Sequence, residues 1–410
     1  MRIKTIESFV IRVPYDESKP TWGGVFRAKD PLQHPGLPAA HPGDISTEYP
    51  PLWRISAVYS GFNQAVVVKL TTDDGIVGWG EGHAPIAGAV TKQAVESLLA
   101  PVILDRDPLD IHPLWEAMYS TMRSRGHGSG FLMEAISAVD IALHDIAGKA
   151  LGVPIAAMFG SQLRDRVPVY ASSLPRIHAE NRDASAEKLI EYARALVADG
   201  HRALKIKLGI DLQADVALLS RLREAVGDGI GIAVDVNGAY DLALARRAGQ
   251  LMNEAAQMLW LEEPLPPENR RDYTSLAAFL DVAVAGGESL YNRWIFNDYL
   301  ASGAFDIITP DVGRAGGLSE CRRISMLADT YGVPFAPHVS TGTAITLAAS
   351  VQWAASGANL MLCEYPLHQE AAFNGVVRQP FEFADGFLRV PDQPGLGIDI
   401  DEPALRRWEV

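Results

Sequence analysis

Residues 204–210 read LKIKLGI, a run in which lysine alternates with aliphatic residues. Alternation with a period of two is typical of a β-strand, whose successive side chains point to opposite faces. Lys205 and Lys207 therefore share one face of the predicted strand, and the aliphatic side chains share the other. Alone, this pattern is typical of a strand with one solvated face. The alternative is a strand that directs two ammonium groups into a site.

The remainder of the second half of the chain decides between these two interpretations. From about residue 165, short apolar runs alternate with longer helical stretches such as SAEKLIEYARALVADG. Eight units of nearly equal length favour a parallel β/α barrel over a doubly wound sheet. The predicted strands are 167–173, 202–209, 231–238, 258–264, 282–288, 305–311, 333–339 and 360–366.

Seven of these strands end in an ionisable residue. A single acid at a strand end is ordinarily a helix cap or a solvated group. In a parallel barrel, however, every carboxyl end opens onto one face, which we call the barrel mouth and which is where such enzymes keep their sites. Seven such groups spaced 23 to 28 residues apart therefore predict one site, formed by Lys207, Asp235, Glu262, Glu288, Asp311, His338 and Glu364.

Three consecutive strands each contribute a carboxylate to this predicted site: Asp235, Glu262 and Glu288. Crowded carboxylates repel one another unless a positive charge lies between them, and oxygen ligands favour a hard cation. We predict Mg²⁺, with Mn²⁺ as the alternative, and disfavour zinc because no cysteine lies in the cluster. Asn237 shares a face with Asp235 and is predicted to bind a ligand, whereas Glu263 faces away and is predicted to be structural.

Taken together, these motifs resemble the enolase superfamily, and within it the mandelate racemase group, which pairs a Lys-x-Lys strand with a His-Asp dyad. DDGIVGWGE (73–81) and AISAVDIALHDIAGKALGVP (135–154) resemble the capping domain of that family, and VPDQPGLGIDID (390–401) resembles its C-terminal return. The resemblance implies a modified TIM barrel, (β/α)₇β, with an α+β N-terminal capping domain. The implied division is a cap of residues 1–160 completed by 375–410, and a barrel of residues 161–374.

The shared chemistry of the family is removal of a proton next to a carboxylate, with a metal-stabilised enediolate. The resemblance implies that Lys207 is one base and that Lys205 and the cation lower its pKa, with Lys205 also attracting the substrate carboxylate. His338, oriented by Asp311, is the acid or base from another strand. Glu364, if protonated, would bind the substrate carboxylate through a hydrogen bond.

These residues fit more than one outcome. The stretches VAGGE, GGLSE and PHVSTGT resemble acid-sugar enzymes, including dehydratases and galactarolactone cycloisomerase. We therefore predict an aldonate or aldarate dehydratase, a lyase that gives a 2-keto-3-deoxy acid. The alternative is an isomerase, either a racemase or epimerase or a cycloisomerase of a hydroxy acid or sugar lactone. A catalytically silent metal-binding homologue is a distant third interpretation.

Residues 16–62 have no regular periodicity, and long stretches of this kind are usually functional lids or disordered. We predict a lid over the substrate, with a surface excursion or an oligomer contact as the alternative. Its candidate substrate-binding residues are Trp22, Arg27, Lys29 and His34. Arg123, Arg125 and His127 form a further candidate patch.

Composition restricts the partners of this 410-residue chain. A formal net charge of −14 disfavours nucleic acid or an anionic membrane, and no apolar run reaches about 20 residues. Two distant cysteines and the lack of a signal-peptide pattern predict a reducing, cytoplasmic location. GRAGGL (313–318) resembles a dinucleotide fingerprint only superficially, so NAD is rejected. The expected partner is a small carboxylate, a sugar acid, and the expected assembly is a homo-oligomer.

Overall fold

The fold is described from a computed structural model, which covers residues 1–14, 62–160, 162–172, 174–175, 177, 182–209, 211–339 and 342–410. The candidate lid residues Trp22, Arg27, Lys29 and His34 lie outside these residues. Their predicted contact with substrate therefore stays a prediction.

The N-terminal part of the chain forms an antiparallel sheet covered by helices. Its strands are β1 (Ile3–Pro14), β2 (Phe62–Thr72) and β3 (Val77–His83), which pair in the order β1-β2-β3. Its helices are α1 (Gly88–Ala94), α2 (Ala100–Ile103), α3 (Ile111–Arg123), α4 (Phe131–Leu151) and α5 (Ile155–Met158), with a π-helical turn, Val95–Leu99, between α1 and α2. We call this α+β unit the cap, as the sequence predicted it.

Helix α4 lies directly on strand β3 because alternate residues of the strand are glycines. A Cβ atom at Gly78 or Gly82 would lie 2.3 or 2.5 Å from a carbonyl oxygen of α4, and one at Gly80 would lie 1.8 Å from Ala138 O. All three glycines share one face of the strand. The glycines at every second position of GWGEG therefore mark the face of β3 that the backbone of helix α4 contacts.

The second unit is a parallel barrel, which confirms the predicted fold class. Its strands pair in chain order, and β10 pairs back to β4, closing the ring. They are β4 (Arg166–Ser172), β5 (Ala203–Lys207), β6 (Gly231–Asp235), β7 (Trp260–Glu262), β8 (Val284–Gly286), β9 (Ile307–Ile308) and β10 (Cys363–Pro366). Seven helices surround them, namely α6 (Arg182–Ala198), α7 (Leu212–Val226), α8 (Leu242–Ala256), α9 (Arg270–Ala277), α10 (Asn292–Ala301), α11 (Gly317–Thr330) and α12 (Ala344–Ser356).

The predicted strand 333–339 forms isolated bridges instead of a continuous ladder. Phe335 bridges Ile308 on one side and Leu360 on the other, and His338 bridges Asp311. Two prolines, at 334 and 337, lack the backbone N–H that a continuous ladder requires. The segment nevertheless occupies the seventh position of the ring and places His338 at the mouth.

After the eighth strand the chain leaves the barrel and returns to the cap. It forms a 3₁₀ turn, Leu367–Gln369, followed by α13 (Glu370–Asn374), β11 (Phe383–Ala384), β12 (Phe387–Arg389) and α14 (Glu402–Arg406). Strand β12 pairs with β4, whereas the last residues contact the cap, where Val410 N–H donates to Val10 O at 3.0 Å. The division at residues 160 and 375 stays a prediction. Among the described residues, no helix has the length and apolar character that a membrane crossing needs.

Candidate active site

The carboxyl ends of three neighbouring barrel strands bring together the acids that the sequence predicted as metal ligands. Asp235 ends β6, Glu262 ends β7, and Glu288 follows β8. One carboxylate oxygen from each lies within 4.8 Å of the others. Asp235 and Glu262 are fully buried, and we call these three residues the acid triad.

Lys205 lies beneath the acid triad and is almost fully buried. Its Nζ lies 2.7 Å from Glu262 Oε1, 3.3 Å from Glu364 Oε1 and 3.7 Å from Asp235 Oδ2. Burial lowers the pKa of Lys205, but the neighbouring carboxylates raise it by more than burial lowers it. The pKa therefore lies well above the ordinary lysine value. Lys205 is therefore a permanent cation at the base of the site.

Lys207 contacts the Asp235 end of the triad. Its Nζ lies 2.5 Å from Asp235 Oδ2 and donates to Asn237 Oδ1 at 2.9 Å. Lys205 does lower the pKa of Lys207, in the direction predicted, but other neighbours act against it. Burial and the charge of Lys205 lower the pKa of Lys207, but the carboxylates of Asp235 and Glu288 raise it by more. The net shift of the pKa is therefore upward. A cation that competes for Asp235 is needed before Lys207 can lose its proton.

His338 contacts the opposite end of the triad and forms the predicted dyad with Asp311. Its Nδ1 lies 2.8 Å from Asp311 Oδ2, and its Nε2 lies 3.3 Å from Glu288 Oε2. Burial lowers the pKa of His338, but the carboxylates of Glu288, Glu364 and Asp311 raise it to about 9. The ring is therefore protonated at neutral pH and can donate a proton.

Glu364 on β10 is ionised, which differs from the protonated form that the sequence analysis required of it. Its Oε2 accepts from the backbone N–H of Val339 at 2.9 Å, and its Oε1 faces Lys205. Burial raises the pKa of Glu364, but Lys205 and His338 lower it more, so the net shift is downward. The predicted hydrogen bond to a substrate carboxylate requires the protonated form of Glu364 and stays a prediction.

Two neighbours of the triad differ in what they offer. The backbone N–H of Asn237 donates to Asp235 Oδ1 at 2.9 Å, and its side-chain oxygen accepts from Lys207. Asn237 therefore contacts both Asp235 and Lys207. Its predicted contact with substrate stays a prediction. Glu263 is buried, and burial together with the carboxylates of Glu288 and Asp235 raises its pKa well above the usual value. Its predicted structural role stays a prediction.

The cap contributes a histidine that the sequence analysis did not single out. His83 ends β3, its Nδ1 lies 3.9 Å from Asp311 Oδ2, and its backbone N–H donates to Gly313 O at 2.8 Å. Gly313 N–H in turn donates to Asp311 Oδ1 at 2.7 Å. Burial holds the pKa of His83 well below its ordinary value, so the ring is neutral. Its position directly after the GWGEG stretch (78–82) was the available signal.

Two further contacts join the loop after β9 to its surroundings. Arg314 donates to the backbone oxygen of Glu288 at 3.1 Å, and its Nε lies 3.8 Å from Glu134 of helix α4.

The candidate patch of Arg123, Arg125 and His127 lies elsewhere, since Arg123 packs over the ring of Trp294 at 5.3 Å. Its predicted contact with substrate has no support among the described contacts.

Comparison with known proteins agrees with this geometry. Residues 47–160 match the mandelate racemase / muconate lactonizing enzyme N-terminal domain, and residues 188–404 match the enolase C-terminal domain-like family. The chain belongs to the mandelate racemase/muconate lactonizing enzyme family. The predicted assignment to the enolase superfamily is thus confirmed, together with its pairing of an N-terminal cap with a barrel.

Individual members of this family are similar over most of the chain. D-galactarolactone cycloisomerase of Agrobacterium fabrum is 33% identical over 355 residues, which cover 84% of this chain and 91% of that protein. D-xylonate dehydratase of Haloferax volcanii is 32% identical over 359 residues, covering 83% and 84%. The crystal structure of 3,6-anhydro-D-galactonate cycloisomerase from Zobellia galactanivorans has a TM-score of 0.82 at 28% identity, covering 100% of both chains.

The family implies a divalent cation, and the donor set of the site fits one. The triad offers only carboxylate oxygens, which hard divalent cations prefer. Five carboxyl groups at the mouth face the side chains of Lys205, Lys207 and His338, so acids outnumber these bases. A divalent cation would reduce the repulsion among the carboxylates. Asp235, Glu262 and Glu288 are the residues that would hold it.

Proposed function

We propose that this protein removes the proton next to the carboxylate of an acid sugar with the help of Mg²⁺, and that it acts as an acid-sugar dehydratase. The observation that carries the proposal is the placement of two acid-base groups at the two ends of one carboxylate cluster. Lys207 contacts Asp235 at one end, and His338 contacts Glu288 at the other. A substrate bound at the triad would therefore meet a proton acceptor and a proton donor.

The role of the cation is electrostatic. When bound, it neutralises the triad carboxylates and stabilises the negative charge that develops on the substrate carboxylate as the neighbouring carbon loses its proton. Asp235 and Glu288 are the groups that raise the pKa of Lys207. Lys207 is therefore the base whose protonation depends most directly on the triad.

The residues then complete the elimination. Lys207, in its neutral form, takes the proton from C2, and protonated His338 gives a proton to the hydroxyl group on C3, which leaves as water. Asp311 keeps the ring of His338 oriented and stabilises its charged form. The resulting enol tautomerises to a 2-keto-3-deoxy acid. Lys205 supplies a fixed positive charge toward the substrate carboxylate.

A cycloisomerase is the second candidate, and a specific observation favours it. Two of the similar proteins, from A. fabrum and Z. galactanivorans, are named as cycloisomerases of acid sugars, whereas the H. volcanii relative is named as a dehydratase. Opening or closing a ring next to the same enolised carbon needs the same base and the same triad. A racemase or epimerase would need only a second acid-base group that returns a proton to the same carbon.

The discriminating experiment is an assay of aldonates, aldarates and their lactones with Mg²⁺. A 2-keto acid product establishes the dehydratase, and an isomeric lactone or ring-opened acid without keto product establishes the cycloisomerase. Asp235→Asn should abolish either reaction because it removes a triad carboxylate. Asp241→Asn is the matched control, since Asp241 caps helix α8 by accepting from Leu244 N–H at 2.7 Å. The proposal fails if no acid sugar reacts, or if Asp235→Asn reacts as fast as the wild type.

A further inference from the structure

One layer of side chains lies inside the barrel directly below the acid triad. Three of its members, Ala233, Trp260 and Ala336, precede the mouth residues Asp235, Glu262 and His338 by two positions, so they share the inward face with those residues. Most residues of the layer are alanine, which leaves room for two large aromatic rings from β4 and β7. The layer consists of Tyr170, Ala203, Ala233, Trp260, Ala285, Ile307 and Ala336.

Trp260 is fully buried and is among the largest buried side chains. It lies opposite Ala233 in the pairing of β6 with β7, and its ring meets that of Tyr170 edge-on at 5.3 Å between centroids. Its indole Nε1–H donates to Glu262 Oε2 at 2.8 Å. Trp260 and Glu262 are the first and last residues of strand β7 and lie on the same face of it. The strand backbone therefore places the indole N–H beside the carboxylate.

We propose that Trp260 is a positioning residue that holds Glu262 in the orientation a divalent cation requires. The inference rests on the proposed function, because it assigns Glu262 to a metal site. Glu262 Oε1 is engaged by Lys205, and Oε2 is engaged by Trp260. Two donors fix the plane of the carboxylate. Outer-shell partners of this kind orient metal ligands and affect metal affinity.

The indole differs from the charged donors in what it does when a cation arrives. A lysine ammonium and a divalent cation repel one another, so Lys205 and the cation compete for Glu262. An indole N–H is neutral and donates only, so it can stay bonded to one oxygen while the cation uses the carboxylate. Asp235 has a comparable neutral donor in the backbone N–H of Asn237. For Glu262 the neutral donor is the indole N–H of Trp260, two residues earlier on the strand.

The test measures metal affinity directly. Protein freed of metal with EDTA is titrated with Mn²⁺, and free Mn²⁺ is followed by electron paramagnetic resonance. Trp260→Phe should raise the Mn²⁺ dissociation constant by about 10- to 100-fold, as outer-shell substitutions do. Trp353→Phe is the matched control. Trp353 is equally buried, and its Nε1–H donates to Ser325 Oγ at 3.2 Å, away from the acid triad. The control should keep the wild-type constant.

A second replacement separates the hydrogen bond from the packing of the ring. Trp260→3-benzothienylalanine keeps the bicyclic shape and removes only the N–H, and it should weaken Mn²⁺ binding as Trp260→Phe does. It also serves if phenylalanine at 260 prevents folding. Wild-type affinity in the benzothienyl protein would overturn the inference while leaving the proposed function intact. A wild-type protein that binds no divalent cation would overturn both.

Discussion

Asp311 Oδ2 lies 2.8 Å from His338 Nδ1, and this contact joins neighbouring strand positions of the barrel, since the two residues also form a backbone bridge. The bond leaves His338 Nε2 facing Glu288 at 3.3 Å. Asp311 therefore decides which nitrogen of the ring is presented to the acid triad and to a substrate bound there.

His338→Asn should abolish dehydration. Asparagine keeps a polar side chain at the site but cannot give a proton to a leaving hydroxyl group, so kcat should fall by at least about 10²-fold. His201→Asn is the matched control. His201 is buried against Phe383 at 4.2 Å between ring centroids, away from the acid triad, and its replacement should affect stability alone. Unchanged turnover in His338→Asn would remove His338 from the mechanism.

Asp311→Asn should lower the pKa of His338 from its value of about 9. Burial alone lowers the pKa of this ring, whereas Glu288, Glu364 and Asp311 raise it. Removing one of these negative charges favours the neutral form, so the ring should lose its proton at a lower pH. The ¹⁵N chemical shifts of the imidazole in metal-free protein measure this directly. An unshifted titration would show that Asp311 does not stabilise the charged ring.

Glu81→Gln should change how stability depends on pH. Burial raises the pKa of Glu81 from 4.5 to about 7, despite hydrogen bonds from Thr343 and Thr346. The folded chain therefore keeps a proton that the unfolded chain loses, so its free energy of unfolding falls as the pH rises from about 4.5 to 7. This group accounts for a loss of about 3 kcal/mol, which the glutamine variant should not show. Urea unfolding of both proteins at pH 5 and pH 8 gives the difference, and an equal pH dependence would contradict the prediction.

Gly80→Ala should unfold the cap or destabilise it severely. The added Cβ would lie 1.8 Å from Ala138 O, so helix α4 would have to move off β3. Overpacking against backbone should cost about 3 kcal/mol or more. Gly229→Ala is the control because its added Cβ meets nothing within 4 Å. Thermal unfolding should show a large drop for the first variant and almost none for the second. Equal melting temperatures would mean that α4 does not rest on β3.

The barrel and its site could be predicted because each strand carries its own signal. Alternation in LKIKLGI and one ionisable residue per unit place Lys207, Asp235 and Glu262 on one face, since parallel strands share a direction. The convergence of the acid triad followed from that topology alone. Strand lengths were less predictable, because strand β7 has only three residues in the structure, whereas the predicted strand, 258–264, has seven.

Contacts between distant parts of the chain were not predictable in the same way. His83 and Glu81 act on the barrel from the cap, more than 200 residues before their partners Asp311 and Thr343. No local pattern records such a contact. The protonation of Glu364 and Lys207 was also hard to predict, since it depends on the sum of several buried charges and not on one neighbour.

The most direct test of the central claim is loss of the C2 hydrogen of an acid sugar in D₂O, followed by proton NMR with and without Mg²⁺. The reaction needs a base, a triad-bound cation and a carboxylate next to the carbon, whichever product forms later. We expect loss of the C2 signal with Mg²⁺, none after EDTA treatment, and recovery when Mg²⁺ returns. Loss that persists undiminished in EDTA, or no loss from any acid sugar with Mg²⁺, would contradict the account.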